Sequence, residues 1–369
     1  MESSRIYFDY NASSLIRPES INSVNKILSS YGNPSSIHKE GRLMRSLIEE
    51  SREKVSKSLS TSSKNIIFTS GGTEAIDIAL NQSPGRLIIN STEHIAVFES
   101  AKRLNIDIDI LDVDSNGLIR MDLLENLLKK GPALVSIMLA NNETGVIQPI
   151  KEISKIVKSY DSLLFCDAVQ AFGKVKLYFD DLGVDLMAVS AHKIGGFSGS
   201  GALVIKKDMN YLIPRVSGGG QELGLRGGTE NLLGIISFGE CASILKEIDN
   251  ESIRLKKLVN LLEDNLSSLG AFIYSYNVER LSNTSLFSFS ELRAETLLMK
   301  LDLAGFSVSS GSACNSGKVK ESHVLKAMNV DGNMQEGAIR VSLGWGSNKK
   351  EVKNFISFFE NIFNKTAKE

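Results

Sequence analysis

Short apolar segments alternate with helical patterns from about residue 64 to residue 206, and this alternation constrains the fold more than any other feature. NIIFTSGG, RLIINSTEH and LLFCDAVQ are among the segments that predict strands. TEAIDIAL, MDLLENLLKK and IKEISKIVKSY predict helices between them. Buried strands that alternate with helices indicate a mostly parallel sheet covered on both faces. The sequence therefore predicts an α/β protein.

The pattern changes after residue 229. Two long helical segments follow, then the predicted strand TSLFSFS and the amphipathic C-terminal segment EVKNFISFFENIFNK. At 369 residues the chain is also too long for one simple core. We predict a large domain over residues 16–250 and a smaller α+β domain formed by residues 1–15 together with residues 251–369.

Composition and charge exclude several classes of function. A formal net charge of −1 argues against a protein that binds nucleic acid or an anionic membrane. There is no run of 18 apolar residues to span a bilayer and no targeting signal at the amino terminus, so a cytoplasmic location is expected. The three cysteines have unrelated spacings, which predicts neither a disulfide framework nor a metal site.

Polar residues follow the predicted strands at the points where they end. Ligands of such sheets bind beyond the carboxyl ends of the strands. We therefore expect one site to be formed by five clusters, namely residues 70–74, 93–94, 141–143, 167–170 and 190–193.

Three of these clusters point to particular chemistry. The glycines and Thr73 of SGGTEAIDIAL stand at the mouth of a helix, where free amides attract an anion such as phosphate, although ordinary strand-to-helix turns share this pattern. Asp167 ends an apolar strand and needs a partner, which could be a helix end, a metal or a protonated ring nitrogen. Lys193 is either a desolvated amine suited to a Schiff base or a surface lysine just past a strand.

Together the three clusters supply what pyridoxal 5'-phosphate requires. The lysine would hold its aldehyde, and the aspartate would keep its ring nitrogen protonated so that the ring acts as an electron sink. An aromatic or imidazole ring over the pyridine face would complete the set, and His94 is the candidate.

Motifs along almost the whole chain carry a resemblance to a known family. They are YFDYNASS, YGNPSSIH, FTSGGTEA, TEHIAV, SIMLANNETGVIQPI, CDAVQAFGKV, DLMAVSAHKIGG, GGGQELGLRGGTEN, SSGSACNSG and GAIRVSLG. With these motifs the chain resembles the cysteine desulfurases, pyridoxal-phosphate enzymes of the class V aminotransferase group. The resemblance implies a fold type I architecture, with a mostly parallel seven-stranded sheet flanked by helices and a smaller α+β domain, and it implies a homodimer.

The resemblance also implies roles around the cofactor ring. Lys193 would bind the aldehyde covalently, Asp167 would pair with the pyridine nitrogen, and Gln170 would pair with the phenolic oxygen. His94 would stack on the ring and move protons, and Asn142 would lie beside the cofactor.

Phosphate binding is implied for a second group of residues. Gly72, Thr73, Ser190 and His192 would hold the phosphate, and Thr229 would reach it from the second subunit.

Substrate binding and sulfur transfer are implied for a third group. Arg340 would bind the carboxylate of L-cysteine, a task that suits a bidentate guanidinium, with Asn33 nearby. Cys314 would take the sulfur as a persulfide from a loop rich in serine and glycine. Cys166 in an apolar strand and Cys241 on a helix are expected to be inert packing residues.

The predicted activity is therefore conversion of L-cysteine to L-alanine, with sulfur passed from Cys314 to an acceptor such as an iron–sulfur cluster scaffold or a tRNA thiolation protein. Two alternatives remain: a related class V lyase acting on selenocysteine or another amino acid, and a weakly active paralogue that serves as a binding partner. One departure supports the paralogue, since Phe197 and Ser198 stand where the family commonly has proline and lysine. We expect the absence of the rigid proline and of the positively charged lysine to loosen the site or to alter its electrostatic field.

Overall fold

The computed structural model describes residues 5–207, 212–245, 248–310 and 321–366. Its strands, in chain order, are β1 (Ile6–Tyr7), β2 (Ile66–Thr69), β3 (Arg86–Asn90), β4 (Asp107–Leu111), β5 (Leu134–Met138), β6 (Leu163–Asp167), β7 (Leu186–Ser190), β8 (Gly201–Ile205), β9 (Phe272–Ile273), β10 (Thr284–Ser288), β11 (Phe306–Ser307), β12 (Ser309–Ser310) and β13 (Ile339–Ser342).

The helices occupy the segments between these strands and the carboxyl end. They are α1 (Pro18–Asn25), α2 (Lys39–Ser58), α3 (Gly72–Leu80), α4 (Ile95–Ala101), α5 (Met121–Leu128), α6 (Ile150–Lys158), α7 (Phe179–Leu182), α8 (Leu232–Ser243), α9 (Ile248–Ser268), α10 (Ala294–Leu303), α11 (His323–Ala327), α12 (Gly332–Glu336) and α13 (Lys349–Thr366). Within the described ranges, no helix combines the length and apolar character needed to cross a lipid bilayer.

The largest sheet has seven strands in the order β2-β8-β7-β6-β5-β3-β4. Strand β8 runs antiparallel to both of its neighbours, and the pairs from β7 to β4 are parallel. The prediction of a mostly parallel seven-stranded sheet is confirmed. The segment that forms β8, GALVI, was not among the strands predicted from the alternation, because only a short 3₁₀ turn and a glycine-rich loop, and no α-helix, separate it from β7.

Both faces of this sheet are covered, as the apolar strands predicted. On β6, Leu164 and Cys166 belong to one buried cluster, and Phe165 between them belongs to another. Alternate residues of a strand point to opposite faces, so the two clusters are the two layers between sheet and helices. This double burial holds the strand ends rigidly and so fixes the polar residues that follow them.

A second, antiparallel sheet has the order β12-β13-β10-β9, and β1 pairs with β11. The amino-terminal segment packs with the carboxyl-terminal part of the chain: the rings of Phe8 and Phe355 on α13 lie 5.7 Å apart in one buried cluster. The segment before residue 16 thus packs with elements that follow residue 250. The domain boundaries at residues 15 and 250 stay a prediction.

Candidate active site

A cavity of about 190 Å³ lies at the carboxyl edge of the seven-stranded sheet. Its walls come from the ends of β5, β6 and β7, the first turn of α3 and the residue before α4. The described residues that line it are Gly72, Thr73, Ile76, His94, Met138, Ala140, Asn142, Asp167, Val169, Gln170, Ser190, His192 and Lys193. All five clusters expected from the strand ends thus contribute to one cavity.

One wall of the cavity is the amino terminus of α3. Gly71 precedes the helix with φ of +157°, a conformation that favours glycine. The backbone here is also close to β8, since a Cβ on Gly201 would lie 2.8 Å from Gly71 Cα. The free amides and the helix dipole at this end favour a bound anion.

The end of β7 supplies a buried polar group without a partner. Ser190, at the end of β7, has a buried Oγ with no hydrogen-bond partner in the described part of the chain. His192 Nδ1 lies 3.3 Å from Ser13 Oγ, and burial together with the positive charge of Lys193 lowers the pKa of His192 to about 4. An unpaired buried hydroxyl is costly, so an anion against Ser190 and the α3 terminus would supply a missing acceptor.

Asp167 is the buried carboxylate at the end of β6. It is 5 % exposed, and its Oδ1 accepts a hydrogen bond from Val169 N at 2.9 Å. Burial raises the pKa of Asp167 to about 6, and that N–H group and the charge of Lys193 oppose the rise. A cation in the cavity would lower the pKa again and stabilise the carboxylate, which is what a protonated ring nitrogen offers.

Lys193 ends the short 3₁₀ turn of residues 191–193 that follows β7. Its Nζ donates to the main-chain oxygens of Asn11 at 2.5 Å and Ala12 at 2.9 Å. Burial and the positive charge of Arg340 lower the pKa of Lys193 to about 8, against the opposing effects of Asp9 and Asp167. The amine is therefore far more available as a nucleophile near neutral pH than an ordinary lysine.

His94 is the residue that caps α4. Its Nδ1 accepts a hydrogen bond from Ala96 N at 3.1 Å, which requires an unprotonated Nδ1. The residue is exposed to solvent, but desolvation by the atoms packed around the ring and the positive charges of Lys193 and His323 lower its pKa to about 4. His94 is a neutral imidazole at neutral pH, able to exchange a proton at Nε2.

Not every residue implied by the resemblance lines the cavity. Arg340 on β13 stands beside it, donating to Asn142 O at 3.0 Å and to Asp9 Oδ1 at 2.8 Å. Asn33 is exposed and its Oδ1 accepts from a neighbouring main-chain amide, and Thr229 is exposed as well. Cys314 lies outside the described residues.

The sequence analysis missed two residues that organise the site. Asn11 is 1 % exposed and joins the second sheet to the cavity, since its Nδ2 donates to Thr284 Oγ1 at 2.9 Å and to Asn142 O at 3.2 Å. Lys174 donates from Nζ to Asn11 Oδ1 at 2.7 Å and to Gln170 Oε1 at 2.6 Å. Both residues stand in motifs quoted above, but no local pattern marks them as neighbours.

The backbone after Lys193 is held despite the missing proline. Phe197 N donates to Ser237 Oγ on α8 at 2.7 Å, a hydrogen bond that a proline at this position could not make. The hydroxyl of Ser237 is itself paired with that of Ser20 at 2.6 Å. The rigidity expected from proline is thus supplied by an anchor to α8, which weakens the argument for an impaired paralogue.

The two described cysteines are buried thiols, in agreement with their predicted packing role. Cys166 on β6 and Cys241 on α8 are both fully buried. Burial raises the pKa of Cys166 well above its ordinary value and that of Cys241 to about 12. Neither thiol has appreciable thiolate at neutral pH, so neither is suited to nucleophilic attack.

Comparison with known proteins agrees with this fold. A family model described as aminotransferase class-V matches residues 6–355. A cysteine desulfurase IscS of Dictyoglomus turgidum is 40% identical over 376 residues, covering 98% of this chain and 95% of that protein. The chain belongs to the class-V aminotransferase family, within its cysteine desulfurase branch.

Solved structures of related proteins have the same fold. The X-ray structure of a NifS-like protein from Rickettsia africae superimposes with a TM-score of 0.91 at 35% identity, covering 98% of this chain and 99% of that one. A structure described as SspA in complex with cysteine has a TM-score of 0.81 at 28% identity, covering 92% and 99%. Members of the family depend on pyridoxal phosphate.

Proposed function

We propose that the protein is a pyridoxal-phosphate-dependent cysteine desulfurase. The observation that carries the proposal is the convergence of Lys193, Asp167 and the partnerless hydroxyl of Ser190 on one cavity at the α3 amino terminus. This combination fits an aldehyde, a protonated ring nitrogen and a phosphate on one molecule. The desulfurase names of relatives with nearly full coverage support the same activity.

Different residues of the cavity would bind different parts of the cofactor. Gly72, Thr73, Ser190 and His192 would bind the phosphate, with Thr229 of a second copy in a homodimer. When bound, the cofactor supplies an electron sink for charge that develops at the substrate Cα.

The other side chains would bind the ring, the substrate and its protons. Gln170 would donate to the phenolic oxygen of the ring, and Asn142, which lines the cavity, would lie beside the cofactor. Arg340, with Asn33 as a second candidate, would hold the L-cysteine carboxylate. The neutral His94 would move a proton at Nε2.

The persulfide step belongs to Cys314. Its thiolate would attack the substrate sulfur, so that the Cβ–S bond breaks and the sulfur is retained as a persulfide on Cys314. The electron pair of the broken bond stays with the substrate carbon, which is protonated, and L-alanine leaves. We propose an iron–sulfur scaffold or a tRNA thiolation protein in the cytoplasm as acceptor, in keeping with the IscS names of the relatives.

The test is product formation by protein loaded with pyridoxal phosphate. With L-cysteine and a reductant, we expect equal amounts of L-alanine and sulfide. Release of selenide from L-selenocysteine with no turnover of L-cysteine would replace the proposal by the lyase alternative. Cofactor binding without turnover of either substrate would favour the binding-partner alternative.

The pKa of Lys193 predicts how cofactor binding depends on pH. At pH 7 a lysine with a pKa of about 8 is neutral in roughly 1 of 10 molecules, against roughly 1 of 2,500 for an ordinary lysine. Since only the neutral amine attacks an aldehyde, capture of pyridoxal phosphate by the apoprotein should accelerate as pH rises and level off above pH 8. Formation of the visible absorbance band measures this rate.

The control for this titration is Nα-acetyl-lysine under the same conditions, which reports the pH dependence of the cofactor itself. A protein profile that continues to rise to pH 10 in parallel with this free amine would show that the site does not depress the pKa of Lys193.

A further inference from the structure

Lys174 is a second lysine amine directly behind the cavity wall, and nothing in the proposed reaction uses it. Its Nζ lies 2.6 Å from Gln170 Oε1 and 2.7 Å from Asn11 Oδ1. Gln170 lines the cavity, whereas Lys174 is not among the described residues that line it.

The orientation of both amides follows from their other contacts. Asn11 Nδ2 faces the main-chain oxygen of Asn142 at 3.2 Å, and Gln170 Nε2 faces the main-chain oxygen of Asn11 at 2.7 Å. A carbonyl oxygen only accepts, so both of these groups are NH₂ and both amide oxygens point to Lys174. An amine has N–H groups enough for both oxygens whether or not it is protonated.

We propose that Lys174 is a positioning residue that holds the Gln170 amide with its NH₂ group toward the cavity. Gln170 Nε2 has two N–H groups, and Asn11 O uses one of them. The second is left for a ligand oxygen in the cavity. Without Lys174, Gln170 Oε1 loses its partner and the amide is free to turn its oxygen toward the ligand.

This inference rests on the proposed function, where Gln170 pairs with the phenolic oxygen of the cofactor. A fixed donor stabilises negative charge on that oxygen and so favours the deprotonated form of the lysine-bound cofactor. Losing the donor should therefore raise the pH midpoint of the visible absorbance change. The charged or titratable groups around Lys174 are Lys193, Arg340 and the neutral His192. Burial and the positive charges of Lys193 and Arg340 lower the pKa of Lys174. Loss of whatever positive charge Lys174 carries would shift the midpoint in the same direction.

A double-mutant cycle separates the effect of the Gln170 donor on the midpoint from the effect of positive charge at Lys174. In cofactor-loaded protein we expect Lys174→Met to raise the absorbance midpoint by about one pH unit, and Gln170→Leu to raise it by a similar amount. The double variant should shift no further than Gln170→Leu alone, because Lys174 acts through Gln170. Lys176→Met is the matched control, since this lysine is half-exposed and pairs with Asp249; its midpoint should not move.

An unchanged midpoint in Lys174→Met would overturn the inference, as would a full second shift in the double variant, which would mean that Lys174 acts by charge alone. If Lys174→Met does not fold, Lys174→Gln replaces it with the same expected direction, because the shorter side chain does not reach both acceptors. The proposed function fails separately: wild-type protein with no visible band would remove both proposals, whereas a normal wild-type titration with an unshifted variant removes only this one.

Discussion

Replacing Lys193 with alanine should abolish covalent binding of pyridoxal phosphate and reduce turnover of L-cysteine by at least about 10³-fold. The reason is the position of the amine: Lys193 lines the same cavity as Asp167, and its pKa is lowered to about 8. Among the described residues that line the cavity it is the only lysine, so no neighbour in that lining replaces its nitrogen.

Borohydride reduction followed by intact-protein and peptide mass spectrometry measures this directly. Wild-type protein should gain one reduced cofactor mass on the peptide that contains Lys193, and Lys193→Ala should gain none. Lys206→Ala is the control: its amine lies at the surface just past β8, 3.6 Å from Asp185 Oδ1, and labelling should be unaffected. An adduct on Lys174 in the wild-type protein would show that the assignment of the two lysines is wrong.

Replacing Cys314 with alanine should leave the cofactor and its absorbance intact while sulfide release falls by at least about 10³-fold. This expectation rests on the motif SSGSACNSG around Cys314 and equally on the exclusion of the other two cysteines as nucleophiles. Cys166 and Cys241 are fully buried with raised pKa values, so neither provides a thiolate for the substrate sulfur.

Cys241→Ala is the matched control, because it removes a thiol from α8 without changing the cavity lining. It should retain wild-type turnover per folded molecule. Trapping with a thiol-specific alkylating reagent after one turnover should place the extra sulfur on the Cys314 peptide. Undiminished sulfide release by Cys314→Ala, with the persulfide absent from wild-type protein, would make the cysteine a bystander and favour a lyase.

Much of the fold was predictable because its elements have local signatures. The strands from β2 to β7 are short apolar segments, and the helices between them repeat apolar residues at helical spacing, so each could be located from the sequence around it. Strand β8 was not predicted because it returns next to β7 after a glycine-rich turn, without the α-helix that precedes the other strands of the alternating pattern. Its antiparallel pairing with β2 and β7 depends on hydrogen bonds to strands elsewhere in the chain, and a local sequence pattern does not predict such pairing.

The sequence by itself determined which residues end up at the cavity. Parallel strands bring their carboxyl ends to one edge, so Asp167, Ser190 and Lys193 are neighbours by topology alone. The resemblance supplied their expected roles, and the described cavity contains the cofactor residues named for one subunit.

The tertiary structure decided how these residues behave. The pKa of Lys193 depends on burial and on Arg340, which arrives from β13 nearly 150 residues later in the chain. The orientation of Gln170 depends on Lys174 and on Asn11, a residue from the amino terminus. Hydrophobic periodicity specifies elements within a few turns of the chain, whereas charge, desolvation and hydrogen-bond partnership act through space between segments that only folding brings together.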